Sequence, residues 1–355
     1  MVLELGTANR MGEVLKSIRG GSDGQRKHIK EGYQYVGVVA AQMWKAATVD
    51  DNYPTLSWGI TSFNERWDKI KTKITVPRHY VSIGAGTGEK DRTILNHLNS
   101  LNRSGADRLI YVPVDISTEL LKAAVRESTK DIGKDRIRVI PIQLDITRRD
   151  ALRELRSVLN VLFDGTGAIV SLLGNTLANF RDDEQMLELL SSTVLSSDDM
   201  LLLELATTTG VTPAIIKNAE AEYDSSRSFR HFAMATLGDL TDCTLKVGKV
   251  VCEGAGSNKH LQLVAKFRPL KATTVAFRDG ETFRLGAKDA IELYMSRKYT
   301  EEGLQALVSA FQPISSEASS ISEQRDHFGI VTQLLRLKDG AAKEDQSHPA
   351  ARTHA

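Results

Sequence analysis

The chain has 355 residues, more than one hydrophobic core ordinarily organises, so one large domain with an appended or inserted second unit is expected. Its 46 Lys and Arg balance 45 Asp and Glu to a net charge of +1, which argues against a nucleic acid or an anionic membrane surface as the main partner. Cys243 and Cys252, the only two cysteines, make neither a disulfide framework nor a thiolate cluster. With no apolar run of 18 residues and no signal peptide, the expectation is a soluble, cytoplasmic protein without a bound metal, monomeric or weakly dimeric.

Residues 1–57 carry no nucleotide-binding pattern and are expected to be a helical segment contributing to a substrate domain. Lys16 to Lys30 is basic, with Gly20-Gly21 at its middle, and is expected to be mobile without its ligand. Tyr33, Tyr35, Trp44, Tyr53 and Trp58 make an aromatic neighbourhood, with Asn52-Tyr53-Pro54-Thr55 as a turn. A small cap packing its rings internally and a pair of tyrosines set over a substrate pocket both fit this composition.

Residues 58–205 alternate strand and helix as a parallel sheet covered on both faces does. After a helix from about Thr61 to Lys73, the strand Tyr80–Ile83 runs into Gly84-Ala85-Gly86-Thr87-Gly88-Glu89-Lys90. Glycines at alternate positions permit positive φ and a close backbone approach to a ligand at a strand-to-helix turn. The string departs from G-x-G-x-x-G, because Glu89 follows Gly88, and this favours a cofactor without a pyrophosphate. The second strand, Arg108–Val114, ends at Asp115, and Ser117 is placed to cap the next helix. The third, Arg136–Leu144, ends at Asp145. The fourth, Gly167–Leu173, ends at Gly174-Asn175, and a fifth spans Asp199–Glu204.

Gly84, Gly86, Gly88, Asp115, Asp145, Gly174 and Asn175 therefore all fall at the carboxyl ends of predicted strands, where open α/β sheets bind ligands. A carboxylate ending the second strand suits ribose hydroxyls. One ending the third can take an adenine amino group or cap the following helix.

Residues 206–338 change character and read as a substrate-binding α+β domain with a returning C-terminal strand. Pro213–Asp224 suggests a helix that Phe229–Leu237 continues. Val250–Phe267 and Thr273–Thr282 look like antiparallel strands, Asp289–Tyr299 is mixed, Thr300–Phe311 reads as a helix, and Phe328–Leu337 as a buried strand. The tail, 339–355, lacks apolar periodicity and is expected to be disordered.

No phosphate-binding G-x-x-x-x-G-K-[ST], no H-E-x-x-H and no G-x-S-x-G occurs, and no nucleophile–base pair is visible in the spacing. Transfer from an already activated donor needs little acid–base machinery, only a nucleophile held in line and water kept out. Several strings carry a resemblance: Ile83–Lys90, Tyr111-Val-Pro-Val-Asp-Ile-Ser117, Leu173-Gly-Asn-Thr-Leu-Ala-Asn179-Phe180, Glu220-Ala-Glu-Tyr223-Asp224, Gly280-Glu281 and Met295-Ser-Arg-Lys-Tyr299. Together they resemble the histidine-specific S-adenosylmethionine (SAM) methyltransferase family. It is known for α-N-trimethylation of histidine on the way to ergothioneine, and it includes N-methyltransferases of tryptophan derivatives in ergot-alkaloid pathways.

The resemblance implies a Rossmann-like SAM-binding sheet over 58–205 with a second, mixed α+β substrate domain. SAM would be the cofactor and S-adenosylhomocysteine the product. Tyr35 or Tyr33, Gly84, Gly86, Lys90, Asp115, Asp145, Gly174 and Asn175 would lie at the cofactor, with Asp115 on its ribose and Asp145 near its adenine. Asn179 and Tyr223 would hold the substrate's amino and carboxylate groups, Tyr53 would lie near the reacting amine, and Ser296 in the side-chain pocket. Histidine-methylating members carry a Glu two residues before that serine; this chain has Tyr294. A site without that carboxylate loses a partner for the imidazole N–H. The implied activity is α-N-methylation of an amino acid or amino-acid-derived small molecule other than histidine. O- or side-chain N-methylation in specialised metabolism is the alternative within enzymes, and a non-catalytic SAM-binding regulator the alternative outside them.

Overall fold

The computed structural model describes residues 2–5, 10–19, 27–76, 78–102, 108–320 and 327–338, without the side chains of residues 10, 11 and 54–56. The tail 339–355 and the centre of the basic stretch, 20–26, lie outside the described residues. Fourteen strands are described: β1 (Leu3–Glu4), β2 (His79–Ile83), β3 (Leu109–Asp115), β4 (Ile137–Val139), β5 (Ile142–Gln143), β6 (Ala168–Leu172), β7 (Met200–Thr208), β8 (Gly248–Gly256), β9 (His260–Pro269), β10 (Thr273–Ala276), β11 (Thr282–Leu285), β12 (Ile291–Tyr299), β13 (Phe311–Ser320) and β14 (Phe328–Leu337). Twelve of them form one sheet, ordered β1-β5-β3-β2-β6-β7-β12-β9-β8. β4 lies beside β3, and β14 pairs with both β7 and β13; β10 and β11 form a separate hairpin.

β2, β3, β5, β6 and β7 are parallel to one another, and β2 sits between β3 and β6. The chain therefore winds outward in two directions from β2, a topological switch point of the Rossmann-like kind. Every residue of β3 and of β6 is buried, so these strands are continuous apolar runs with helices on both faces. The return strand β14 closes the order antiparallel to β7, pairing Phe328 with Thr208 through to Leu335 with Leu201.

The expected third strand, Arg136–Leu144, is broken into β4 and β5. Tyr111 and Asp115 both turn their carbonyls to that neighbour, accepting from Ile140 and Leu144 N–H at 2.9 and 3.1 Å. Pro113, two residues from each, faces the same way and has no N–H to give, so the ladder is interrupted opposite it.

The additional mixed α+β part continues the same sheet. β12 meets β7 through the parallel pair Tyr299↔Thr207, and β9 and β8 follow it antiparallel. Asp289–Tyr299, ambiguous in sequence, is strand β12 from Ile291; all nine of its residues are buried, which removes the alternation a half-exposed strand would show. The helix expected to run through Leu237 is two, Pro213–Ser225 and Arg227–Leu240. They are broken at Ser226, whose hydroxyl accepts from Phe229 N–H and donates to Asp50. The segment expected to be helical to Phe311 stops at Leu307, and β13 follows. β13 is an edge strand with a register shift at Pro313 and a single buried residue, so it carries no apolar period.

Candidate active site

A cleft of about 1290 Å³, its open mouth included, lies at the carboxyl ends of β2, β3, β6 and β7. It takes its floor from Gly84–Asp91, Asp115, Asp145, Gly174–Thr176 and Glu204, and its far wall from Glu31, Gly32, Gln34, Tyr35, Trp44 and Asn179. The size suits a ligand of nucleoside dimensions with room beside it.

The glycine loop is fixed by a partner that sequence reasoning did not single out. Gly84, Gly86 and Gly88 have φ of 71, 57 and 86°, and Gly88 caps the helix Glu89–Leu101. A Cβ on Gly88 would lie 2.6 Å from the carbonyl oxygen of Ala124, so the loop helix packs backbone to backbone on its neighbour. One turn in, buried Asp91 accepts from the hydroxyls of Tyr111 (2.5 Å), Tyr80 (2.7 Å) and Ser82 (3.0 Å). Burial raises its pKa, and these three donors partly offset the rise. They pin the loop helix to β2 and β3. The spacing of polar residues in two otherwise apolar strands was the available signal.

Asp115 ends β3 as an acceptor with spare capacity. Its carboxylate takes Ser117 N–H at 2.9 Å and Gly86 N–H at 3.3 Å. It is 7% exposed, and burial lifts its pKa to about 6 against those backbone donors. Asp145 lines the same cleft, but both its oxygens are engaged. Oδ1 takes the Thr147 N–H (3.0 Å) and hydroxyl (2.6 Å), while Oδ2 faces Lys30 Nζ at 3.2 Å and the Tyr33 hydroxyl at 3.3 Å.

At the opposite end, Glu204 on β7 is buried between two cations, Lys90 and Arg66 (3.2 Å), and also accepts from Gly174 N–H (3.1 Å) and Thr332 (3.4 Å). Lys90 thus lines the cleft as half of an ion pair. Glu204 and Arg66 had no motif to mark them, because a buried ion pair assembled from elements 138 residues apart leaves no local pattern. Asn175, expected at the cofactor, stands at φ 63° and spends its amide inward: Nδ2 donates to Ser296 Oγ (3.0 Å) and Arg297 O (3.1 Å), and Oδ1 accepts Ala206 N–H (2.8 Å). Its side chain ties the loop after β6 to β12, and only the residue's outer surface meets the cleft.

The residues expected at the substrate converge from four separate elements. Tyr294 donates to Asn179 Oδ1 at 2.9 Å, and Asn179 Nδ2 donates to the Tyr35 hydroxyl at 3.2 Å. The Tyr294 hydroxyl also neighbours Tyr35, Tyr53 and Ser296, and that of Tyr223 neighbours Tyr53 and Ser296. The Tyr53 and Tyr223 rings meet at 4.8 Å, and Phe229 lies 4.9 Å from Tyr223 and 5.4 Å from Tyr294. Burial pushes the phenols of Tyr35, Tyr53 and Tyr223 well above their ordinary range, and that of Tyr294 upward as well. Tyr35 and Asn179 line the cleft, whereas Tyr53, Tyr223, Tyr294 and Ser296 lie one layer behind them. The arrangement offers neutral hydroxyls that donate and accept, and no tyrosinate base.

Among the described residues no group of three His, Cys, Asp or Glu could hold a metal ion, and no helix is long and apolar enough to cross a membrane. Cys243 and Cys252 are both buried free thiols.

The model of one family, described as histidine-specific methyltransferase, SAM-dependent, matches residues 16–332. No curated protein matches the chain. Solved structures are similar at low identity. A SAM-dependent methyltransferase from Clostridium acetobutylicum is 15% identical over 78% of this chain and 91% of its own, with a TM-score of 0.36. One from Anabaena variabilis is 9% identical over 85% and 97%, at 0.42. The 1,6-didemethyltoxoflavin-N1-methyltransferase of Burkholderia thailandensis is 11% identical over 87% and 92%, at 0.39.

Proposed function

We infer the acceptor from a fixed premise: this chain belongs to the histidine-specific, SAM-dependent methyltransferase family and is a SAM-dependent methyltransferase. The acceptor is the α-amine of an amino acid or amino-acid-derived small molecule other than histidine. The observation that carries this reading is Tyr294, whose hydroxyl donates to Asn179 at the place where the resemblance puts an imidazole-holding carboxylate. A phenol kept neutral by burial supplies no anion to stabilise a charged imidazolium, while its oxygen still accepts from a neutral ring N–H such as that of an indole. Of the two activities known in the family, this favours acceptors with an uncharged aromatic side chain, as tryptophan derivatives have.

The cleft's residues fit the cofactor. Gly84, Gly86 and Gly174, each at positive φ, let the backbone come close, and a Cβ on Gly174 would project into open space. Asp115 accepts the ribose hydroxyls, since its carboxylate takes the Ser117 and Gly86 N–H groups and keeps acceptor capacity toward the cleft it lines. Asp145 faces the adenine amino group. SAM supplies a methyl group that is already electrophilic on its sulfonium. The protein's part is to present an uncharged amine in line with that methyl. Asn179 and Tyr35 orient it from the cleft wall, and Tyr53, Tyr223, Tyr294 and Ser296 support them from the layer behind. Desolvation among these rings disfavours the ammonium form, so the amine sheds its proton to water on entering rather than to a tyrosine.

A mass-spectrometric screen of SAM with single L-amino acids and their N- and ring-substituted derivatives tests the reading. A product heavier by one or more methyl groups, with fragments placing them on the α-nitrogen, supports it. Methylation of histidine in preference to every other acceptor, or modification only at oxygen or a side-chain nitrogen, refutes it.

A further inference from the structure

The cleft has a wall from the N-terminal part of the chain, and one carboxylate joins that wall to the cofactor floor. Residues 27–29 bridge to β12 at Glu292, with Ile29 N–H donating to Glu292 O at 2.8 Å and Glu292 N–H to Lys27 O at 3.0 Å, and the chain continues to Tyr35. Glu31, Gly32, Gln34 and Tyr35 of this segment line the cleft. Lys30 and Tyr33 do not; they turn the other way and converge on Asp145, which does. Behind them Glu13, on the helix Arg10–Arg19, takes the Lys30 ammonium and the Tyr33 hydroxyl (3.3 Å).

Resting on the reading that Asp145 faces the adenine amino group, we propose that Lys30 and Tyr33 are positioning residues for the cofactor. They hold the Asp145 carboxylate turned to that group, so that the N-terminal segment completes the SAM site.

The physical reason is burial. Asp145 is 5% exposed, and a carboxylate that deep is held in one orientation by the donors that face it. Lys30 supplies a cation and Tyr33 a further donor to Oδ2, while Thr147 holds Oδ1 so that the group cannot rotate. An anion fixed in this way distinguishes a ring amino group from a ring carbonyl at the same position.

The test is calorimetric titration with S-adenosylhomocysteine and with S-inosylhomocysteine, which carries a carbonyl oxygen in place of the amino group. The proteins are the wild type, Lys30→Met, Tyr33→Phe, Asp145→Asn and the double variant Lys30→Met/Asp145→Asn. Lys30→Met is expected to weaken S-adenosylhomocysteine about tenfold and to narrow its preference over the inosyl analogue, Tyr33→Phe to shift both less in the same direction. In the Asp145→Asn background Lys30→Met is expected to change affinity less than about twofold, because it acts through the carboxylate. Equal loss of both ligands in Lys30→Met, or its full effect persisting in the double variant, overturns the proposal. Should Lys30→Met not fold, Tyr33→Phe, which removes a single oxygen, decides it: an unchanged preference overturns the proposal. If Asp145→Asn itself leaves the preference intact, what fails is the placement of Asp145 at the adenine.

Discussion

Asp115 gives a prediction whose size can be worked from its surroundings. Its side chain is nearly enclosed, faces backbone N–H groups rather than a cation among the described residues, and burial lifts its pKa to about 6. An ordinary aspartate titrates near 3.9, so ionising Asp115 in the folded, cofactor-free protein costs roughly 3 kcal/mol more than in the unfolded chain. The sign follows. The folded state holds its proton to higher pH than the unfolded state, so this group's contribution to stability is intact below about pH 4 and is lost as pH rises through about 6. Cofactor binding runs the other way. With Asp115 on the ribose, as proposed, the hydroxyls donate to the charged form, so the ligand binds the ionised carboxylate and releases a proton wherever Asp115 is still neutral.

At pH 5 about one molecule in eleven carries the charge, and at pH 7 about ten in eleven. Affinity for S-adenosylhomocysteine is therefore expected to fall about tenfold from pH 7 to pH 5. Asp115→Asn should flatten this dependence and weaken binding at pH 7 by roughly 1–3 kcal/mol. Calorimetry in two buffers of different ionisation enthalpy counts the released proton directly, and the ligand's own titration cancels between the two proteins. A wild type with flat affinity across this range, or an Asn variant that keeps the full slope, refutes the assignment of Asp115 to the ribose.

Three further perturbations have defined outcomes. Tyr294→Glu restores a carboxylate beside Asn179 and should raise histidine turnover relative to the wild type's preferred acceptor; competition assays giving no gain for histidine would unseat Tyr294 as the selecting residue. Arg66→Met leaves Glu204 buried with Lys90 as its remaining cation and should cost about 3–5 kcal/mol by urea denaturation, whereas a loss below about 1 kcal/mol would mean the pair contributes little. Gly88→Ala forces a Cβ into the Ala124 carbonyl at φ 86°, and should lower the melting temperature and weaken S-adenosylhomocysteine together, because loop and helix start at the same residue. Unchanged binding in a destabilised variant would separate the loop's packing from its role at the ligand.

Much of the sheet was legible because its signals are local. Tyr80–Ile83 and Phe328–Leu337 are apolar runs bounded by breakers, and they fold as β2, extended by His79, and as β14. The elements that escaped are those whose neighbours decide their fate. β13 is polar and exposed, and is a strand because β14 offers it a ladder. The third strand is split at Ile140-Pro141, where Pro141 and, in the strand beside it, Pro113 both lack an N–H for a ladder.

The candidate site divides the same way. Chain order and strand ends alone put Gly84, Gly86, Asp115, Asp145 and Gly174 on one edge, since a parallel sheet presents every carboxyl end to the same side, and these residues do line one cleft. Family strings then marked Asn179, Tyr223, Tyr294 and Ser296. Contact between distant segments decided everything else. The sequence could not tell that Asn175 turns its amide to β12, that Lys90 and Arg66 share Glu204, or that Lys30 and Tyr33 reach Asp145 across more than a hundred residues. Such pairings have no period and no motif; they follow from which side chains the fold brings into the same dry space, where an unpaired charge costs too much to persist.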